Sequence, residues 1–207
     1  SELCEVRGCV GTANGLDAIE LGLKAIGTEP SDEIITTALT AYATTLAIQR
    51  CGAIPVFADI DPNTACISVR SVDQCISPRT KAVVVVHLYG RSCDLLELKR
   101  LCEVHQIHLV EDCAQAHLAR HSDRSVGSFG SFAAWSFYPT KNLGAIGDAG
   151  AVTSNSLSLL DEVRRMRNYG QRDRYYHDVI GANSRLDELQ ASILLVRLQY
   201  LNEWTER

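Results

Sequence analysis

Lys81-Ala82-Val83-Val84-Val85-Val86 is the stretch on which the fold turns. Four consecutive valines leave the segment no polar face. An antiparallel strand with one wet side would alternate, whereas a strand covered by helices on both sides stays apolar throughout. The neighbouring segments agree with the second reading. Residues 33–37 and 54–58 read as strands before it, and residues 107–110 as a strand after it. Between them lie helix-like segments. Residues 16–27 read as a helix that Asn14 caps and Gly27 ends. Residues 42–49, 94–105, 157–168 and 185–207 read as further helices, the last with a stripe of Leu186, Leu189, Ile193, Val196 and Tyr200. The alternation predicts an α/β domain, a mostly parallel sheet with helices on both faces. In such sheets, ligands bind at the carboxyl ends of the strands.

Composition narrows the function class. The chain has 207 residues, 46% of them hydrophobic, enough for one large domain with a sizeable core. Its net charge of −5 is spread along the length, and no basic run points to nucleic acid or an anionic membrane. No apolar stretch approaches a membrane span, and the first residues contain no signal-like apolar segment. The eight cysteines include no C-x-x-C pair, so free buried thiols in a reducing cytoplasm are the expectation. Cys102, His105 and His108, and Cys113, His117 and His121, have metal-like spacings. The first set spans a helix end and a strand, and neither has the tight pairs of a zinc site, so no metal is assigned.

Two segments carry the chemistry. In Ser136-Phe137-Tyr138-Pro139-Thr140-Lys141-Asn142-Leu143-Gly144-Ala145, one lysine stands between aromatic residues and a glycine turn. Desolvation there would disfavour the ammonium and yield a nucleophilic amine, as a Schiff-base lysine needs. In Val110-Glu111-Asp112-Cys113-Ala114-Gln115-Ala116-His117, an acidic pair ends an apolar strand, with Asp112 just past its end. A lysine and a strand-end aspartate are the two groups a pyridoxal phosphate (PLP) enzyme needs. The glycines of residues 8–15 do not spell G-x-G-x-x-G, which disfavours a dinucleotide-binding fold.

Taken with Ala13-Asn14-Gly15-Leu16-Asp17-Ala18, Val86-His87-Leu88-Tyr89-Gly90, Gly147-Asp148-Ala149-Gly150-Ala151 and Gly181-Ala182-Asn183-Ser184-Arg185-Leu186-Asp187-Glu188, these segments make six motifs in order. The chain closely resembles the DegT/DnrJ/StrS-type nucleotide-sugar aminotransferases of PLP fold type I. The resemblance runs from about Gly8 to the last residue. It implies that residues 1–207 are an incomplete PLP-binding large domain, and that residues 185–207 lead towards a small domain not contained in them.

The resemblance also implies roles. Lys141 matches the Schiff-base lysine and Asp112 the partner of the pyridine nitrogen. Gln115 matches a side chain beside the phenolic oxygen, and Tyr42 an aromatic that stacks on the ring, although a core aromatic reads equally well there. Ser136 matches a phosphate-binding hydroxyl, joined by the backbone of Gly15, Leu16 and Asp17 at a helix start. Asn183 matches a residue that dimers of the family lend to the neighbouring phosphate, which implies a homodimer with shared sites. The implied reaction moves an amino group from glutamate to a nucleotide-linked keto-deoxysugar. The sequence is nearest in flavour to enzymes that aminate C3 of a dTDP-3-keto-6-deoxyhexose, with C4 amination as the alternative. Lys141 argues against the dehydratase branch, which has histidine there.

Three positions depart from the family pattern. Leu16 stands where many relatives have threonine, Leu118 where they have glycine, and Ala149 where they have the first of two glycines. A side chain at either of the last two positions would cost about 1 kcal/mol or more if the backbone needs φ > 0. With the small domain missing, the rival expectation is a truncated or degenerate homologue that acts as a non-catalytic PLP-binding or interaction module.

Overall fold

The computed structural model describes residues 1–207. In chain order the strands and helices are β1 (Gly8–Thr12), α1 (Gly15–Ala25), β2 (Glu33–Thr37), α2 (Tyr42–Arg50), β3 (Ile54–Ala58), α3 (Val69–Cys75), β4 (Thr80–Val86), α4 (Leu95–His105) and β5 (His108–Asp112). There follow two short ribbon strands, β6 (Arg120–His121) and β7 (Arg124–Ser125), and then β8 (Phe132–Ser136), β9 (Gly150–Ser154) and α5 (Leu157–Met166). A second ribbon, β10 (Gln171–Asp173) with β11 (Tyr176–His177), precedes α6 (Glu188–Leu198) and α7 (Leu201–Glu206).

Seven strands form one sheet in the order β1-β9-β8-β5-β4-β2-β3. β9 runs antiparallel to both its neighbours, and the other pairings are parallel. The valine run lies in the middle as β4, and Ala82 to Val86 are all buried. Side chains along it alternate between two cores, as the pleat requires. Val83 and Val85 join Ile35, Leu95, Leu98 and Trp135 on one face. Ala82 and Val84 join Ile34, Leu23, Ile48, Phe132 and Val163 on the other. Helices α3 and α4 therefore cover one face, and α1, α2 and α5 cover the opposite one. At Gly22 of α1, a Cβ would lie 2.2 Å from the Phe132 ring, so only glycine lets the helix sit this close to β8.

The expected elements correspond, with two corrections. Asp112 is the last residue of β5 rather than a residue beyond it. Residues 185–207 are two helices rather than one. Asp187 is extended, and the chain bends at Tyr200 between α6 and α7. The bend turns Leu201 inward, where it packs with Leu143, Ala145, Ala149 and Leu194. The expected stripe is accordingly not the buried face, since Leu189, Val196 and Tyr200 are exposed and Leu194 is buried. No helix is long and apolar enough to cross a membrane.

Candidate active site

The parallel strands end on one edge of the sheet, and the loops there build the site. β5 carries the acidic pair to this edge. Adjacent residues of a strand point to opposite faces, so Glu111 and Asp112 cannot share an environment. Asp112 turns towards α2. Its Oδ2 accepts from Thr44 Oγ1 at 2.8 Å and its Oδ1 from the Ala114 N–H at 3.1 Å. Burial raises its pKa, opposed by these two hydrogen bonds and by the charge of Lys141. A carboxylate has about four acceptor positions, and two donors leave capacity for a cationic N–H.

Glu111 turns the other way and is wholly structural. Its Oε1 accepts from the N–H groups of Phe129 and Gly130, both at 2.8 Å, and its Oε2 from Gly127 N–H at 2.6 Å. Oε2 also meets His87 Nε2 at 3.1 Å, while His87 Nδ1 accepts from the Cys93 N–H. Burial pushes the Glu111 pKa up, but His87 and the backbone donors outweigh it and hold the carboxyl below its ordinary value. Cys113 lies near this pair, so that His87, Glu111 and Cys113 form a compact donor cluster. Glu111 already spends both oxygens on protein donors, so the cluster reads as a structural knot.

Lys141 stands in a turn after β8, its N–H bonded to the Tyr138 carbonyl. It is half-buried rather than sealed in, and lines a cleft of about 610 Å³ with Tyr89, Gln115, His117, Leu118, Asn142 and Thr205 among others. Gln115 spends its Oε1 on the Tyr89 N–H at 2.9 Å, leaving its amide N–H groups to the cleft. His117 was not singled out for a role by its sequence, only set aside with two metal-like neighbours. It is 5% exposed, between Trp135 and Phe137 at 5.5 and 5.8 Å, and neither ring nitrogen finds a well-aligned partner. Burial and the Lys141 charge push its pKa down to about 4, so the ring is neutral near pH 7.

The start of α1 meets the end of β8 beside this cleft. Asn14 caps the helix, its Oδ1 accepting from Asp17 N–H at 2.8 Å. That bond uses the Asp17 donor and leaves the N–H groups of Gly15 and Leu16, at the positive end of the helix, without intrahelical partners. A Cβ on Gly15 would come within 2.7 Å of Ser136 Cβ, which puts the Ser136 side chain against this helix end. Two free N–H groups, a hydroxyl and a helix dipole form a cradle for a phosphate.

The remaining site residues divide. Tyr42, at the first turn of α2, is 69% exposed, so it is no core aromatic. It stands two residues before Thr44, which touches Asp112. Asn183 is exposed and apart from the cleft, bridged to Asn168 at the border of a polar cavity that also holds Arg167 and Arg185. Of the two departures in backbone-sensitive motifs, Leu118 does sit at φ 64° and Ala149 does not have positive φ. Thr44, Glu111 and His117 are neighbours of the candidate site whose places the sequence reading did not assign. For Glu111 the signal was available, because period-2 geometry forbids both members of an acidic pair from facing one site.

The donor set fits PLP. A buried carboxylate with spare acceptor capacity, a cleft-lining lysine and a helix-end anion cradle match its ring nitrogen, aldehyde and phosphate. Comparisons with known proteins agree. The family model described as the DegT/DnrJ/EryC1/StrS aminotransferase family matches residues 1–207. The dTDP-3-amino-3,4,6-trideoxy-alpha-D-glucose transaminase of Streptomyces venezuelae is 44% identical over 99% of this chain and 54% of its own length. The solved structure of S. venezuelae DesV, in complex with a ketimine intermediate, superposes with a TM-score of 0.97 at 43% identity, over 100% of this chain and 56% of that one. The structure of NtdA from Bacillus subtilis with bound cofactor PMP gives 0.91 at 32% identity, over 96% of this chain and 45% of that one. The chain spans about half the length of the relatives it matches. Its architecture is that of fold type I aminotransferases.

Proposed function

The chain belongs to the DegT/DnrJ/EryC1/StrS aminotransferase family, and from this we propose that it carries the PLP site of an enzyme that moves an amino group from glutamate to a nucleotide-linked keto-deoxysugar. The observation that carries the reading is the convergence of Asp112, Lys141 and the α1–Ser136 cradle on one sheet edge. PLP supplies an electron sink that stabilises a carbanion next to nitrogen.

The chain's own groups divide the work. Asp112, short of donors, holds a proton on the ring nitrogen and keeps the ring electron-withdrawing. Lys141 would hold the cofactor's aldehyde with its Nζ, and the same amine would hold and move the proton at the reacting carbon. Ser136 Oγ and the N–H groups of Gly15 and Leu16 bind the phosphate, with Asp17 contributing through the cap that fixes the turn. Tyr42 offers an aromatic face and Gln115 an amide to the ring. Asn183 serves the neighbouring protomer's phosphate in a homodimer. The transaminase relative favours a dTDP-linked sugar aminated at C3 as the substrate.

The test is an absorbance spectrum with PLP for the parent and Lys141→Ala, followed by addition of glutamate. A visible band that requires Lys141 and fades with glutamate is expected. A band identical in both proteins, or one that glutamate leaves unchanged, would overturn the assignment of Lys141 or of the donor.

A further inference from the structure

Two thiols meet at the same sheet edge, outside the site described above. Cys66 follows β3 and Cys93 follows β4, strands that both flank β2, so the topology brings their loops together. The Cys66 thiol packs on the loop that carries Cys93. Cys66 Sγ lies 3.6 Å from the carbonyl of Ser92, the residue before Cys93, and 3.7 Å from that of Arg91. Cys93 is itself buried, its Sγ donating to the Val86 carbonyl at 3.3 Å. Both line a cavity of about 510 Å³ with Asp61, Ser92, Asp94 and His121, which gives a small solute access. The Cys93 thiol, followed by the His87 and Arg91 charges, holds the Cys66 pKa below its ordinary value despite burial. Burial pushes Cys51 and Cys102 up to about 12 and Cys113 well above its ordinary value, so those thiols stay protonated and inert.

From this geometry we infer that Cys66 and Cys93 are an oxidisable dithiol, converted by peroxide into a disulfide. The Cys66 thiolate attacks one peroxide oxygen, the O–O bond breaks, and a sulfenic acid and hydroxide form. The Cys93 sulfur then attacks the Cys66 sulfur, the S–O bond breaks, and water leaves as the S–S bond closes. The two thiols lose two electrons, and one peroxide is reduced to two waters. The bond ties the β3–α3 connection to the loop that carries Tyr89 and Gly90 on the wall of the Lys141 cleft.

The experiment treats the intact, folded protein with hydrogen peroxide, counts thiols after denaturation, and maps tryptic peptides without reduction. The reduced chain has eight thiols. The expected result is a loss of two, restored by dithiothreitol, with residues 51–70 joined to residues 92–99. Because Cys51 shares the first peptide, Cys51→Ser must keep the link and Cys66→Ser must lose it. A parent protein that keeps all eight thiols, or whose link survives Cys66→Ser, would overturn the inference.

Discussion

At the scale of the residue, burial sets what each titratable group can do. His117 is the clearest case. Its folded pKa, about 4 against an ordinary 6.5, means that the unfolded chain binds the proton more readily. Stability is therefore full above about pH 6.5 and falls as the pH drops towards 4, by up to about 3 kcal/mol for this one ring. His108 is shifted the same way by burial and adds to the slope. His117→Phe keeps an aromatic between Trp135 and Phe137 and removes the titration, so urea melts at several pH values should show a flatter profile between pH 6.5 and 4. An unchanged slope would assign the effect elsewhere. Leu118 makes a second residue-scale prediction. It holds φ 64° while packing against the cluster of Leu143, Leu194 and Leu201. A β-branched side chain tolerates that backbone poorly, so Leu118→Val should cost about 1–2 kcal/mol. Leu118→Gly relieves strain and loses apolar contact, which should nearly cancel in the same melts. A neutral Leu118→Val would show that the backbone there adjusts.

At the scale of the element, the end of β5 does two jobs because a strand has two faces. One side delivers Asp112 to Thr44 on α2 and within reach of the Lys141 charge. The other delivers Glu111 to the loop before β8, where it satisfies three main-chain donors and His87. Glu111→Ala would leave those buried N–H groups unpaired, and should lower stability by about 3–5 kcal/mol in equilibrium unfolding. A loss under about 1 kcal/mol would mean that water replaces the carboxylate. Most of these elements were legible in the sequence. The valine run, the Asn14 cap and the Gly27 stop all act locally, within a turn or a pleat. The last helix was not legible, because the bend at Tyr200 serves Leu201, whose partners Leu143 and Ala149 are distant in sequence. Its periodic stripe therefore named an exposed face.

At the scale of the whole molecule, one sheet divides two cores, and Phe132 sits where β8 meets α1 over Gly22. Phe132→Ala would open a cavity in the fully buried core and should cost about 3–5 kcal/mol by calorimetry or urea. A cost below about 1 kcal/mol would mean that α1 collapses onto the sheet. One sequence was enough to read the α/β architecture and the family, and to single out Lys141, Asp112, Ser136 and the α1 start as candidate site residues. Those follow from local periodicity and ordered motifs, which a single chain displays directly. Tertiary structure was needed to tell that Asp112 turns to α2 while Glu111 turns away, that Thr44 bonds Asp112, that His117 is buried and neutral, and that Cys66 packs on the loop of Cys93. Each of these depends on side chains from separate strands and helices that meet only once the sheet has assembled, and no spacing along the chain encodes such meetings.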